Sequence, residues 1–166
     1  MKDNITIDLA SEMDYERMAE IYNESIQKGA ATMEESHYTA AKISAWVEKF
    51  EERERLYALK DAGKTIGWGI IKFYSPREGY RFACETAIYI TETELRNGYG
   101  SLMKNFLIEK CKELDYHHLV AKIFASNTAS IEYNLKIGYS IVGRQKEIGF
   151  RNGKWVDIVI MQYLIS

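Results

Sequence analysis

The stretch Cys84-Glu-Thr-Ala-Ile-Tyr-Ile-Thr-Glu-Thr-Glu-Leu-Arg-Asn-Gly-Tyr-Gly-Ser-Leu-Met-Lys-Asn-Phe106 predicts a strand, a tight turn and a helix. Residues 82–90 are rich in β-branched and aromatic side chains, which favours a strand. Glycines at 98 and 100 allow the backbone to approach a ligand closely, and the N-terminus of the next helix attracts anions. The junction therefore suits a phosphate or pyrophosphate, although a Gly-x-Gly pair also occurs as a plain strand-to-helix turn.

The helix is expected to begin near Ser101. Its periodicity predicts one apolar stripe and one polar stripe along its length. The apolar stripe contains Leu102, Met103, Phe106, Leu107, Cys111 and Leu114, and the polar stripe contains Lys104, Asn105, Lys110 and Glu113.

The composition is that of one globular domain spanning residues 1–166. Apolar residues make up 46% and charged residues 28% of the chain, so a sizeable core is expected. The net charge is −2 and basic residues are scattered among acidic ones, which indicates no nucleic-acid partner. No apolar run is long enough for a bilayer, and residues 1–4 lead directly into an alternating strand rather than a signal peptide. We therefore expect no membrane partner and a cytoplasmic location.

The two cysteines, Cys84 and Cys111, fall on apolar positions without metal-ligand spacing, so buried thiols in a reducing cytoplasm are expected. The histidines indicate no metal site either. His117 and His118 are adjacent in a strand and should point to opposite faces, and His37 is isolated.

The rest of the chain alternates between short strands and amphipathic helices. Ser11 with Asp14, Thr39 and Asn127 are the expected helix starts. The charge run at 51–55 reads as a solvated helix end. Strands are expected at 5–9, 56–60, 65–74, 117–123, 139–147 and 156–164, the last two joined by a hairpin at Asn152-Gly153. This pattern predicts a single α/β domain with a mixed central sheet flanked by helices.

Glu85 is a carboxylate in the middle of an apolar strand. A period of two places it on one face with Arg81, Ala87 and Tyr89. The structural interpretation is an ion pair with Arg81, since a buried carboxylate needs a partner. The functional interpretation is a general base. The sequence leaves both open.

Three segments together resemble a known superfamily. Gly98-Tyr99-Gly100, Asn127-Thr-Ala-Ser130 and Ile137-Gly138-Tyr139 resemble motif A and the following segment of the GNAT superfamily of N-acetyltransferases. Tyr80-Arg81, Glu85-Thr-Ala-Ile-Tyr89 and the tail Gly153-Lys-Trp-Val-Asp157 are similar to its phosphinothricin / methionine sulfoximine acetyltransferase branch.

The resemblance implies direct acetyl transfer from acetyl-CoA, the cosubstrate, to the amine of a small amino acid or amino-acid analogue in a ternary complex. Glu85 matches the general base of the family. The matching cofactor-binding positions are Leu95, Arg96, Asn97, Gly98, Tyr99, Gly100 and Ser101 for the pyrophosphate, Ala87, Ile88 and Tyr89 for pantetheine, and Asn127 and Lys136 for further contacts with CoA. The candidate substrate-binding residues are Tyr74, Arg77, Arg81 and Glu85. Proteins of this type are commonly dimers, and the hairpin around Trp155 offers apolar area for a homodimer.

The sequence departs from the family pattern at two positions. Leu95 stands where Gln or Arg is usual, which matters little to a turn that binds through its backbone. Asn134 stands at the catalytic position where relatives carry His or a Tyr that protonates the leaving thiolate, and Asn cannot be a general acid. The thiolate would then leave unprotonated or take a proton from water. The change also permits an alternative, a CoA-binding module with weak or no catalysis. A nucleotide-hydrolysing P-loop fits poorly because no Gly-Lys-Ser/Thr follows the glycines.

Overall fold

The computed structural model describes residues 3–166 and contains a seven-stranded sheet with four α-helices. The strands are β1 Ile5–Leu9, β2 Arg55–Asp61, β3 Lys64–Phe73, β4 Ala83–Ile90, β5 His118–Phe124, β6 Ser140–Arg151 and β7 Lys154–Leu164. The helices are α1 Glu12–Lys28, α2 Ala40–Glu48, α3 Tyr99–Glu113 and α4 Thr128–Lys136. The α/β class and the mixed sheet expected from the sequence are confirmed.

The sheet divides at the junction of β4 and β5. The strand order is β1-β2-β3-β4-β5-β7-β6, and every neighbouring pair is antiparallel except β4 and β5. These two strands pair only where residues 83–85 meet residues 118–120. Beyond Glu85 they diverge, because β4 continues along β3 and β5 continues along β7. The divergence opens a wedge in the middle of the sheet.

Two hydrophobic cores cover opposite faces of the sheet. α1 and α2 pack on one face around an aromatic cluster, and α3 packs on the other face against β3, β4 and β5. Alternation along β4 assigns Cys84 and Thr86 to the α3 face and Glu85 to the α1 face. The aromatic cluster consists of Tyr22, Tyr38, Trp46, Trp68 and Tyr89.

The loop between α1 and α2 is tied to the β6–β7 hairpin by a buried arginine. Arg151 is 4% exposed and donates to the carbonyls of Ile26 and Thr32. The hairpin turns at Asn152 and Gly153, whose φ values of 50° and 74° are typical of a type I′ turn, as the sequence predicts. Arg151 of the hairpin therefore holds this loop beside the C-terminal end of α1.

Three local expectations are wrong. The strand β6 continues past Glu147 to Arg151, because an irregularity in its pairing with β7 absorbs the interruption. The charge run is no solvated helix end, since α2 stops at Glu48 and the side chain of Glu54 is buried, accepting from Phe73 N at 3.2 Å. Lys104 lies on the buried side of α3. Among residues 3–166, no helix is long and apolar enough to cross a membrane.

Candidate active site

A cavity of about 660 Å³ occupies the wedge between β4 and β5. Residues from the free edges of both strands line it, together with the N-terminal ends of α3 and α4. It extends to the loop after α1, where Ala30 and Ala31 line it. The lining residues run from the start of α3 through the sheet to the loop after α1, which suits an extended ligand with an anionic end.

The anionic end of such a ligand would fit the start of α3. Gly98, with φ 84°, is the N-cap, and the first helical bond runs from Leu102 N to Gly98 O at 3.1 Å. The N–H groups of Tyr99, Gly100 and Ser101 precede that bond and have no carbonyl partner within the helix. A Cβ atom built on Gly98 or Gly100 meets nothing within 4 Å, so open space lies beside this backbone. These donors and this space fit a pyrophosphate.

Most of the cofactor positions from the sequence come together in this cavity. Those that line it are Ala87, Ile88, Tyr89, Leu95, Arg96, Gly98, Gly100, Ser101 and Asn127. Three others do not line it. Asn97 donates its side-chain amide to Glu94, Tyr99 is the first residue of α3 and is buried in the core, and Lys136 is exposed at the end of α4. The N–H of Leu95 already bonds Glu92 O at 3.3 Å.

Glu85 forms an ion pair with Lys122 of β5, at 3.1 Å between Oε2 and Nζ. The structural interpretation, an ion pair of Glu85 with Arg81, is wrong because β4 begins only at Ala83, so the alternation does not extend back to Arg81. Arg81 ends a 3-10 turn at φ −59° and ψ −19°. Its guanidinium donates to Glu78 O and stacks over the Phe82 ring.

A second cavity of about 420 Å³ lies beyond this ion pair. Along β4, Ala83 lines the second cavity and Ala87 lines the wedge, with Glu85 between them on the same face. Along β5, Val120 and Lys122 divide in the same way. Glu85 itself lines neither cavity, but its neighbours on the same face line one or the other, and its ion-pair partner Lys122 lines the wedge.

The second cavity is mainly apolar and aromatic. Both His117 and His118 line it. The Tyr74 ring packs against the Tyr80 ring, with 5.3 Å between the ring centroids. Arg77 and Arg81 line neither cavity. Both are exposed, and in sequence they flank Gly79 and Tyr80, which line the second cavity. Its lining residues are Tyr74, Gly79, Tyr80, Phe82, Ala83, His117, His118, Val120, Val142, Ile160, Met161 and Gln162. In the part of the chain that the structure describes, no three His, Cys, Asp or Glu side chains cluster as metal ligands would.

The wedge also contains a buried amine, that of Lys104, although the periodicity of the sequence predicts Lys104 on the polar stripe of α3. Lys104 of α3 is 4% exposed, and its Nζ donates to Thr86 Oγ1 at 3.1 Å. The same atom lies 4.5 Å from the centre of the Tyr139 ring. Burial lowers the pKa of Lys104 to about 8. A signal was available, since residues 104, 107, 108 and 111 have the i, i+3, i+4, i+7 spacing of one helix face.

Two residues of α4 face the same cavity. Asn134 donates its amide to Ser130 O at 2.7 Å, while its Oδ1 is buried without a hydrogen-bond partner among residues 3–166. Tyr133 donates its hydroxyl to Gly100 O at 2.9 Å, and burial raises its pKa to about 12. Tyr133 therefore fastens α4 to the start of α3, whereas Asn134 leaves an acceptor free.

The sequence and the fold both match known acetyltransferases. Residues 7–160 match the model of the acetyltransferase (GNAT) domain. An L-methionine sulfoximine/L-methionine sulfone acetyltransferase of Pseudomonas aeruginosa is 30% identical over 147 residues, covering 86% of this chain and 84% of the relative. A phosphinothricin N-acetyltransferase of Alcaligenes faecalis is 29% identical over 159 residues, covering 95% and 81%.

A solved structure shows the same fold with its cosubstrate. The GNAT superfamily phosphinothricin acetyltransferase of Sinorhizobium meliloti, in complex with AcCoA, superposes with a TM-score of 0.91 at 27% identity, covering 98% of this chain and 89% of that one. The chain belongs to the GNAT acetyltransferase family, whose members use acetyl-CoA. Within that family its relatives include phosphinothricin and methionine sulfoximine acetyltransferases.

Proposed function

We propose that this enzyme transfers the acetyl group of acetyl-CoA to the amine of a small amino acid or amino-acid analogue, by direct attack in a ternary complex. The observation that carries the proposal is the position of Glu85 in β4, between Ala83 of the second cavity and Ala87 of the wedge, with its carboxylate paired to Lys122 of the wedge lining. Each cavity would hold one reactant, and the base would lie where the two meet.

On the cosubstrate side, the proposal assigns the pyrophosphate to the N–H groups at the start of α3. The open space beside Gly98 and Gly100 supports this assignment. The pantetheine arm would run along Ala87, Ile88 and Tyr89, because the edge of β4 has no strand partner there. Asn127 would contact CoA from the start of α4, where its Oδ1 also caps the helix through Ser130 N. Lys136 does not line the cavity, so we propose that its positive charge attracts the anionic CoA without direct contact.

On the acceptor side, Glu85 is proposed as the general base. An amino-acid ammonium cannot attack until it loses a proton, and a carboxylate near the acetyl carbonyl can accept that proton. Oε2 of Glu85 pairs with Lys122, while Oε1 has no partner among the described residues. Oε1 is therefore available to the substrate ammonium. Because Lys122 is half-exposed, its side chain would move away from Glu85 when that ammonium binds.

Tyr74, Arg77 and Arg81 are proposed to bind the rest of the acceptor. Tyr74 lines the second cavity. A guanidinium binds a carboxylate in a fixed fork, so Arg77 or Arg81 would select an acceptor with an anionic group. The relatives' names support acceptors of the methionine sulfone, methionine sulfoximine or phosphinothricin type.

We further propose a homodimeric, cytoplasmic enzyme of one domain over residues 1–166. The tip of the β6–β7 hairpin exposes Trp155 by 64% and Phe150 by 55%, in edge-to-face contact with each other. Such a patch is typical of an interface between copies. The buried free thiols Cys84 and Cys111 suit a reducing compartment.

The second candidate function is a CoA-binding module with weak or no catalysis, which the Asn134 position favours. Incubation with acetyl-CoA and a panel of amino acids, methionine sulfone, methionine sulfoximine and phosphinothricin separates the two. We expect release of free CoA thiol together with an acetylated acceptor identified by mass spectrometry. Tight CoA binding without an acetylated product from any acceptor would establish the binding module instead.

The amide of the best acceptor provides the matched control. If a guanidinium grips the acceptor carboxylate, the amide should lose roughly 10- to 100-fold in kcat/KM, because a charge-assisted hydrogen bond is lost. Equal kcat/KM for acid and amide would refute the assignment of Arg77 and Arg81.

A further inference from the structure

Lys104 is a buried cation without an anionic partner. Its Nζ contacts the Thr86 hydroxyl and the face of the Tyr139 ring, and no carboxylate among residues 3–166 lies within ion-pairing distance. A buried ammonium in such surroundings is costly unless something compensates it. The helix tolerates it where leucine-like side chains would pack well, on the same face as Leu107 and Cys111.

The surroundings of Lys104 form a polar subsite inside the wedge. Lys104, Thr86 and Asn134 all line the cavity, and we call these three residues the lysine subsite. The backbone N of Tyr139, whose ring lies under Lys104 Nζ, donates to the backbone carbonyl of Asn134 at 3.0 Å. The buried Oδ1 of Asn134 is unpartnered. The subsite therefore offers one cationic donor, Lys104 Nζ, and one unpartnered acceptor, Asn134 Oδ1, to a ligand in this part of the wedge.

We propose that Lys104 is the catalytic acid of the transfer, donating a proton from Nζ to the CoA sulfur as the C–S bond breaks. The inference rests on the proposed acetyl transfer and names a donor where Asn134 supplies none.

The proton balance closes with this chain's own groups. Glu85 accepts one proton from the acceptor ammonium, the amine nitrogen forms the new C–N bond, and the C–S electron pair goes to sulfur. Sulfur takes the proton of the Lys104 ammonium, and the neutral amine of Lys104 regains a proton from water when the products leave. The nitrogen's second proton goes to solvent, and Glu85 releases its proton to solvent when the products leave. Because Lys104 takes one proton back, the net products are the acetamide, free CoA thiol and one H⁺.

The charge state of Lys104 suits this role. Its pKa of about 8 leaves it mainly protonated at pH 7 and places it near that of an ordinary thiol. The titratable groups that face it stay neutral in this range. A hydrogen bond with Cys111, followed by burial, raises the pKa of the Cys84 thiol, and burial raises the pKa of the Tyr139 hydroxyl.

The test compares Lys104→Met with Lys112→Met, a control on the exposed side of the same helix. Isothermal calorimetry at pH 7 measures the affinities for CoA and for desulfo-CoA, which lacks the thiol. In Lys104→Met, CoA should bind about tenfold or more weakly, because a charge-assisted contact with sulfur is lost, and desulfo-CoA should bind as to the unmodified enzyme. Equal losses for both ligands would overturn the proposal.

Kinetics and intact mass complete the test on the same variants. Lys104→Met should lower kcat by roughly 10²- to 10⁴-fold with little change in KM for acetyl-CoA, and the alkaline limb of the kcat profile near pH 8 should disappear. Unchanged kcat would refute the assignment. So would an acetyl group found on Lys104 by peptide mass spectrometry after incubation with acetyl-CoA, since Lys104 would then be an acceptor rather than an acid.

Discussion

Replacing Lys104 with Met should stabilise the fold while it impairs the reaction. Lys104 is buried in the wedge with one hydrogen bond and no anionic partner among the described residues. Met has a similar length and can occupy the same apolar surroundings without a charge. Because a charged side chain is kept there at the expense of stability, its removal should raise the free energy of unfolding at neutral pH.

The magnitude follows from the pKa of Lys104. The ordinary value for a lysine is 10.5, and burial lowers that of Lys104 to about 8. At about 1.36 kcal/mol per pH unit, keeping the charge buried at pH 7 costs about 3 kcal/mol. The lost hydrogen bond to Thr86 offsets about 0.5–1.5 kcal/mol of the gain. The variant should therefore be about 2 kcal/mol more stable than the unmodified protein at pH 7.

The pH dependence gives the prediction its sign. Between pH 8 and pH 10.5 the unfolded chain keeps the Lys104 proton and the folded chain has lost it, so unfolding takes up a proton. The stability of the unmodified protein thus rises with pH in this window, relative to a chain without the lysine. The advantage of Lys104→Met should shrink by about 2–3 kcal/mol between pH 7 and pH 10.

Urea unfolding of both proteins at pH 7, 8, 9 and 10, followed by fluorescence of the tryptophans, measures this difference. Taking the difference between the two proteins cancels the titration of all other groups. Lys112→Met should show a constant difference across the series. A Lys104→Met difference that is also constant with pH would show that Lys104 is not a buried titrating amine and would refute the reasoning.

Three other perturbations test the cavity, the hairpin and the assembly. Gly100→Val should fold normally, since a Cβ at Gly100 meets nothing within 4 Å, yet calorimetry should show strongly weakened CoA binding, and unchanged affinity would contradict the pyrophosphate site. Arg151→Met should lower the free energy of unfolding by about 2–4 kcal/mol in urea titration, because two buried carbonyls lose their donor; a loss below that range would mean water replaces the guanidinium. Light scattering should give the mass of a dimer, reduced to a monomer by Trp155→Glu, and a monomeric mass at every concentration would exclude the dimer.

The order of elements and the glycine turn before α3 could be predicted because both depend on local sequence. Alternation fixed most strand positions, and the glycines at 98 and 100 marked the start of α3 to within two residues. The partner of Glu85 could not be predicted in this way. Lys122 is distant in sequence and meets Glu85 only because β4 and β5 are parallel neighbours. Arg81, which is close in sequence, lies outside the strand, so period-two reasoning failed at the strand's end.

The burial of Lys104 was missed for a different reason. Residue type outweighed spacing, since a lysine is ordinarily assigned to the exposed side of a helix. Its spacing from Leu107 and Cys111 nevertheless placed it on the buried face. Likewise the charge run at 51–55 was read by composition, while Glu54 is buried because backbone and side-chain donors from β3 surround it. At both positions the tertiary contacts bury a side chain that its residue type alone would assign to the surface.

Glu85→Gln tests most directly whether Glu85 deprotonates the acceptor amine. Gln keeps the shape of the side chain and removes its basicity. We predict that kcat at pH 7 falls roughly 10²- to 10⁴-fold while the affinity for acetyl-CoA stays nearly unchanged. The loss should shrink towards high pH, where the acceptor amine is already free.

Glu109→Gln, on the exposed surface of α3, is the matched control and should keep its activity. The decisive measurement is therefore kcat of Glu85→Gln with the best acceptor from pH 7 to pH 10. A large loss that narrows as pH rises is the predicted result. Full activity at pH 7 would contradict it and would leave Glu85 as the ion-pair partner of Lys122 alone.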